Sequence, residues 1–153
     1  GFMPYCELSC TSNYSFLRGA SHPEELVERA AELGYGAIAI TDECSLAGVV
    51  KAHIQAKLCD LPLIIGSEFN TREGVRLIAL APNRIAYAEL SGLISRARRR
   101  ANKGNYEVHL PDIIFHLKNC LLLWLPDRID RRQTAYGLTL SKRFNQRLWL
   151  GFR

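Results

Sequence analysis

The chain has 153 residues, of which 48% are hydrophobic and 23% are charged, and its formal net charge is +5. This length fits one domain with a sizeable core, and the composition excludes disordered, fibrous and collagen-like proteins. No apolar run approaches the roughly 20 residues that cross a bilayer, and the N-terminus lacks the basic and apolar regions of a signal peptide. We therefore expect a cytoplasmic protein with no membrane partner. Five cysteines without a CxxC pair indicate reduced, mostly buried thiols.

Strands and helices alternate along the predicted secondary structure, which indicates an α/β fold. In chain order we predict strand 5–10, helix 21–33, strand 36–40, helix 46–58, strand 61–65, turn 71–74, strand 75–81, helix 83–101, strand 121–125, helix 130–145 and strand 148–152. The continuous apolar run 36–40 is typical of a parallel strand that is covered on both faces. The two strands around turn 71–74 could form an antiparallel pair.

Two finer predictions concern the second half of the chain. In helix 83–101, capped by Asn83, we place an apolar face inward, and its members are Ile85, Leu90, Leu93 and Ile94. The stretch between His109 and His116 reads as strand-like.

Neither an internal repeat nor a long linker divides the chain, so we expect one domain over residues 1–153. Gly1 and Phe2 precede Met3, which we expect to be the native start. The chain stops inside an apolar strand, so we expect a domain that is truncated at its C-terminus. An open sheet edge carrying Trp149 and Phe152 would favour self-association.

Four predicted loops meet at one end of a parallel sheet, namely 9–18, 42–45, 66–69 and the region after Leu123. Metal-dependent phosphoester hydrolysis needs histidine and carboxylate ligands on such loops. The available hard ligands are Asp42, Glu43 and Glu68, a set that would favour Mg²⁺ or Mn²⁺. The alternative is structural: Asp42 caps the following helix and Glu68 pairs with Arg18.

A run of cations ends helix 83–101. Its members are Arg96, Arg98, Arg99, Arg100 and Lys103. Cations at a helix C-terminus complement the helix dipole, and the same cluster also suits contact with a DNA phosphate backbone. The sequence leaves these two interpretations open.

Three segments carry a resemblance to a known family. They are YCELSCTSNYSFLRGASHPEELVERAAELGYGAIAITDECSLAGVVKAH, LPLIIGSEF and VRLIALAPNRIAYAELSGLISRARRR. In order and spacing the chain resembles, over about residues 5 to 150, the polymerase-and-histidinol-phosphatase (PHP) domain of bacterial DNA polymerase III alpha subunits, and it is most similar to their error-prone, damage-induced branch. The resemblance implies an incomplete, distorted TIM-like β/α barrel with a mostly parallel sheet and flanking helices.

The same resemblance implies a degenerate metal site. The family's His-x-His pair falls on Ser9 and Thr11, and an acidic ligand falls on Arg18. The Thr-Asp-His motif becomes Thr41–Glu43, and the Gly-x-Glu glutamate is kept as Glu68. A later cysteine-bearing motif is replaced near Trp124–Pro126. We therefore expect no catalytic residue, bound metal or cofactor in this chain, although the whole polymerase would need Mg²⁺.

Three functions follow from these observations. The first is a non-catalytic structural PHP domain of an error-prone polymerase in damage-induced translesion synthesis. The second is a residual metal-dependent phosphoesterase, and the third is a DNA-binding module. The resemblance implies the remainder of the polymerase chain, DNA and repair proteins such as the sliding clamp as partners.

Overall fold

The computed structural model describes residues 15–16, 37–47, 49–58 and 63–151. Within these residues, strands and helices follow one another as a mixed α/β fold. They are β1 (Ser15–Phe16), β2 (Ala37–Glu43), α1 (Val49–Leu58), β3 (Leu63–Asn70), β4 (Arg76–Ala81), α2 (Arg84–Arg99), α3 (Leu110–His116), β5 (Leu121–Trp124), α4 (Arg131–Arg143) and β6 (Leu148–Leu150). None of the described helices has both the length and the apolar character that crossing a membrane requires. The predicted strand 5–10 and helix 21–33 lie outside the described residues.

The described strands form one sheet in the order β1-β2-β3-β4-β5-β6. β2 pairs in parallel with β1 and β3, and β5 pairs in parallel with β6. The central pairings, β3 with β4 and β4 with β5, are antiparallel. The predicted antiparallel pair is therefore confirmed. The predicted mostly parallel, TIM-like barrel is not confirmed, because the described sheet is mixed and its strand order is open.

A tight turn explains the antiparallel pairing of β3 with β4. The Gly74 N–H donates to the carbonyl oxygen of Thr71 over 2.9 Å, and the Val75 N–H donates to the Thr71 hydroxyl over 3.1 Å. Gly74 has a φ of 86°, a left-handed conformation that glycine adopts without a steric penalty. A turn this short can join only antiparallel strands.

The main core lies on one face of the sheet, under α2, α3 and α4. Alternate residues of β4 and β5 point into it, and Leu90 and Leu93 of α2 are almost completely buried there. Burying each such side chain contributes about 1.5–3 kcal/mol. The opposite face carries a second apolar cluster, with members Ile64, Ile78, Leu80, Leu121, Leu123 and Leu125. Trp149 of β6 packs against that cluster and is partly buried, whereas Phe152 lies outside the described residues.

Two local predictions are wrong. Ile85 is 66% exposed, since the buried stripe of α2 runs instead through Ala86, Leu90, Leu93 and Ala97, at helical spacing of three and four residues. The stretch that reads as strand-like is helix α3. A capping box between His109 and Asp112, with a proline in the first turn, starts that helix, and both features are helix-start signals.

Candidate functional site

The two strand-end motifs meet at one edge of the sheet. The parallel register of β2 and β3 sets Ile40 opposite Gly66 and Glu43 opposite Glu68. Both glutamates still belong to their strands, which run further than the sequence predicts. A third carboxylate precedes Glu43 in β2, but the side chain of Asp42 is outside the described part of the chain.

Glu43 is held by two neutral donors. Its Oε1 accepts a hydrogen bond from Asn70 Nδ2 over 2.9 Å, and its Oε2 accepts one from the Tyr106 hydroxyl over 2.5 Å. Tyr106 also accepts a hydrogen bond from the Asn70 N–H over 2.9 Å. Burial, reinforced by the hydrogen bond to Glu43, raises the pKa of the Tyr106 phenol above its ordinary value. Tyr106 therefore stays protonated and remains a donor to the carboxylate.

Glu68 is held by a cation. Its Oε1 lies 3.0 Å from Arg76 Nη2, and both side chains are largely buried, with 9% and 14% of their surfaces exposed. The expected partner was Arg18, which lies outside the described residues. Arg76, at the start of the neighbouring strand β4, provides positive charge at this edge of the sheet.

Cys44 follows Glu43 directly but is not suited to nucleophilic catalysis. It is fully buried, has a φ of 46°, and donates its N–H to the carbonyl oxygen of Glu68 over 2.7 Å. Burial raises the pKa of its thiol to about 11, against a smaller opposing effect of Arg98. A thiol in this state remains protonated at neutral pH and is a poor nucleophile.

Arg98 is a structural clamp behind the same edge. It donates to the carbonyl oxygens of Glu43 over 3.2 Å, of Cys44 over 3.1 Å and of Asn105 over 3.1 Å. Its guanidinium lies 5.4 Å from the centre of the Tyr106 ring. These contacts fix the end of β2 against the C-terminus of α2, so Arg98 points into the protein and not toward a nucleic acid.

The basic run therefore separates into two groups. Arg98 and Arg100 are engaged within the protein, the latter through a two-bond contact of its Nη1 and Nη2 with the carboxylate of Asp112. Arg96, Arg99 and Lys103 are exposed and have no ion-pair partner among the described residues. From the sequence, all five cations are predicted to form one patch. Their positions along a helix do not show which side chains contact groups elsewhere in the fold.

A cluster of charged side chains connects the β3–β4 turn to the start of α3. His109 Nε2 lies 2.9 Å from Glu107 Oε2, and its Nδ1 lies 3.5 Å from Glu73 Oε2. The hydrogen bond to Glu107 and the charge of Glu73 raise the pKa of His109. Glu73 also accepts the Leu110 N–H over 2.8 Å. Sequence pattern alone does not predict this cluster, because Glu73 comes from the β3–β4 turn while Glu107 and His109 precede α3.

The described carboxylates do not make up a metal centre by themselves. Across residues 43–47 and 63–151, with the few described side chains of α1, no group of three or more His, Cys, Asp or Glu side chains is placed to hold a metal ion. Both oxygens of Glu43 accept hydrogen bonds from protein donors, and Glu68 is paired with a cation. The degenerate positions Ser9, Thr11 and Arg18 lie outside the described residues. Their contribution remains a prediction.

The comparisons with known proteins agree with the sequence resemblance. A family model described as the PHP domain matches residues 7–122. Error-prone DNA polymerases from Saccharophagus degradans and Teredinibacter turnerae are 57% and 55% identical to this chain over 149 residues. Each match covers 97% of this chain but 14% of the relative, so the chain spans a small part of the relatives' length.

Solved structures were matched as well. One of them is a candidate metal-dependent phosphoesterase from Bifidobacterium adolescentis, with a TM-score of 0.45 and 15% sequence identity, and the match covers 85% of this chain and 71% of that one. A likeness at this level carries no argument about mechanism.

Proposed function

Because this chain belongs to the PHP domain family, we propose that it serves as a non-catalytic, structural PHP domain of an error-prone DNA polymerase that acts in damage-induced translesion synthesis. The names of its relatives and the small share of their length that it matches support a place within a longer polymerase chain. The remainder of that chain would be its principal partner, and DNA and the sliding clamp would be partners of the assembled polymerase.

The observation that carries the non-catalytic role is that both carboxylate oxygens of Glu43 already accept hydrogen bonds from the protein. These hydrogen bonds come from Asn70 and Tyr106, so a metal would have to displace neutral donors that the fold already holds in place. The guanidinium of Arg76 next to Glu68 adds positive charge at the same edge, which opposes the approach of a divalent cation. Glu43 and Glu68 therefore act in contacts within the protein that stabilise this edge of the sheet.

The competing function is residual phosphoester hydrolysis. The feature that favours it is the register of β2 and β3, which sets Glu43 opposite Glu68. Asp42 would be its third ligand. In that case the contacts with Asn70 and Arg76 would open when metal binds, and the carboxylates would become ligands.

A hydrolysis assay separates the two functions. The chain is incubated with p-nitrophenyl phosphate and with 3′-end-labelled DNA in Mg²⁺, Mn²⁺ or Zn²⁺. The test variant combines Glu43→Gln and Glu68→Gln. The matched control is Asp127→Asn, which replaces an exposed carboxylate elsewhere in the protein. We expect no metal-dependent product from any protein. Product formation that the double substitution abolishes and the control retains would overturn the proposal.

A further inference from the structure

A second region with functional potential lies away from the strand-end edge, where α2, α3 and α4 approach one another. A cavity of about 670 Å³ opens there, and we call it the basic cleft. It is lined by Arg96 of α2, Phe115 of α3, Lys118 just after α3, and Arg143 at the end of α4, together with smaller contributions from Pro111 and Ile114.

Positive charge dominates the basic cleft. The three cations that line it are exposed, and among the described residues none of them has a carboxylate partner. Asp112 is the acidic residue of the lining, and its carboxylate is already bound by Arg100 through two hydrogen bonds. An anion in the cleft would therefore meet cations from three separate parts of the chain with no competing free carboxylate.

The cleft also presents an aromatic ring to solvent. Phe115 is 68% exposed, whereas Phe69 and Phe144 are almost completely buried. Lys118 Nζ lies 5.3 Å from the centre of the Phe115 ring, and the His116 ring meets it edge-on at 5.2 Å. An exposed phenylalanine is a cost in water, which a planar apolar partner would remove.

We propose that the basic cleft binds single-stranded nucleic acid, with phosphates on Arg96, Lys118 and Arg143 and one base stacked on Phe115. Cations that follow a backbone and an aromatic ring that takes a base are the two features that single-strand sites combine. A duplex keeps its bases paired and cannot use the ring. An acidic peptide would satisfy the cations but would lack the planar group that the ring favours.

The basic cleft does not involve Glu43 or Glu68. Its lining also differs from the five-cation run that the sequence predicts for DNA contact. Of the five cations in the basic run, Arg96 is the one in the cleft lining. The other members of the site come from the ends of α3 and α4, which are distant in sequence. Arg99, the last residue of α2, and Lys103, which follows the helix, are exposed and would extend the positive surface beyond Arg96.

The test is fluorescence anisotropy of a labelled oligothymidylate with the full chain at several salt concentrations. The cleft variant combines Arg96→Gln, Lys118→Gln and Arg143→Gln. The control variant removes three exposed cations elsewhere, Lys57→Gln, Arg84→Gln and Arg131→Gln, so both lose the same charge. Circular dichroism confirms that each variant folds.

We expect the cleft variant to lose about 2 from the slope of log affinity against log salt, because each single-strand phosphate contact contributes roughly 0.7, whereas the control keeps its slope. Phe115→Leu should weaken oligothymidylate binding roughly tenfold, in line with the loss of one stacked base, and should leave duplex binding unchanged. Equal slopes for the two triple variants would overturn the proposal. Tighter binding of polyglutamate than of oligothymidylate, or no effect of Phe115→Leu, would also overturn it.

Discussion

Replacing Arg98 by alanine removes the clamp between α2 and the end of β2. The side chain donates three hydrogen bonds to backbone carbonyl oxygens and lies against the Tyr106 ring. A hydrogen bond from a charged donor contributes about 1.5–3 kcal/mol when it is well shielded. Because Arg98 is only half-buried, we assign about 1 kcal/mol to each bond. The expected loss in the free energy of unfolding is therefore about 3 kcal/mol.

The assay is urea denaturation followed by circular dichroism and tryptophan fluorescence, with Arg99→Ala as the matched control. Arg99 is the next residue of the same helix and is exposed, so its replacement should change the free energy of unfolding by less than about 0.5 kcal/mol. For a domain of this size, the Arg98→Ala loss corresponds to a drop of roughly 6–12 °C in Tm. Equal stability of the two variants would refute the clamp.

Three further predictions follow from the same structure. Gly66→Ala should destabilise the fold by about 1–3 kcal/mol in chemical denaturation, because the added Cβ would lie 2.8 Å from a backbone carbonyl oxygen of β4. The control is Gly92→Ala, where the added Cβ meets open space, and it should stabilise α2 by up to about 1 kcal/mol. His109, whose pKa is raised above 6.5 first by Glu107, contributes stability while protonated and loses it as pH rises through the folded-state pKa. The wild type should therefore lose more stability than His109→Gln between about pH 6 and pH 9, and an NMR-titrated His109 pKa at or below 6.5 would contradict this. Burial that raises the pKa of Cys44 to about 11 should leave that thiol unmodified by iodoacetamide in native protein, as read by peptide mass spectrometry, and modified after unfolding.

The sequence predicts those features that depend on local pattern. The apolar runs before Glu43 and Glu68 identify β2 and β3, and parallel pairing of neighbouring strands then places the two glutamates side by side. The turn 71–74 identifies the antiparallel hairpin. Asn83 is confirmed as the N-cap of α2, since its side chain accepts the Ala86 N–H. Each of these features follows from backbone geometry and the period of the apolar residues.

The partners of the site could not be predicted, because they come from segments without a pattern. Tyr106 reaches Glu43 from a loop 63 residues away, and Arg76 pairs with Glu68 because of the hairpin register. Arg98 looked like part of a solvated basic run, and its inward contacts depend on where α2 ends relative to β2. Helix α3 could not be recognised from its pattern because it is only seven residues long, and a short apolar run of this length is equally typical of a strand.

Metal binding by the purified chain tests the central claim most directly. Bound metal is measured by elemental analysis, and Mn²⁺ is then titrated while electron paramagnetic resonance follows the free ion. We predict far less than one equivalent of bound metal, with no difference between the wild type and the Glu43→Gln, Glu68→Gln double variant. The reason is that protein donors already bind the Glu43 and Glu68 carboxylates. One equivalent of metal that this variant loses and Asp127→Asn retains would contradict this prediction.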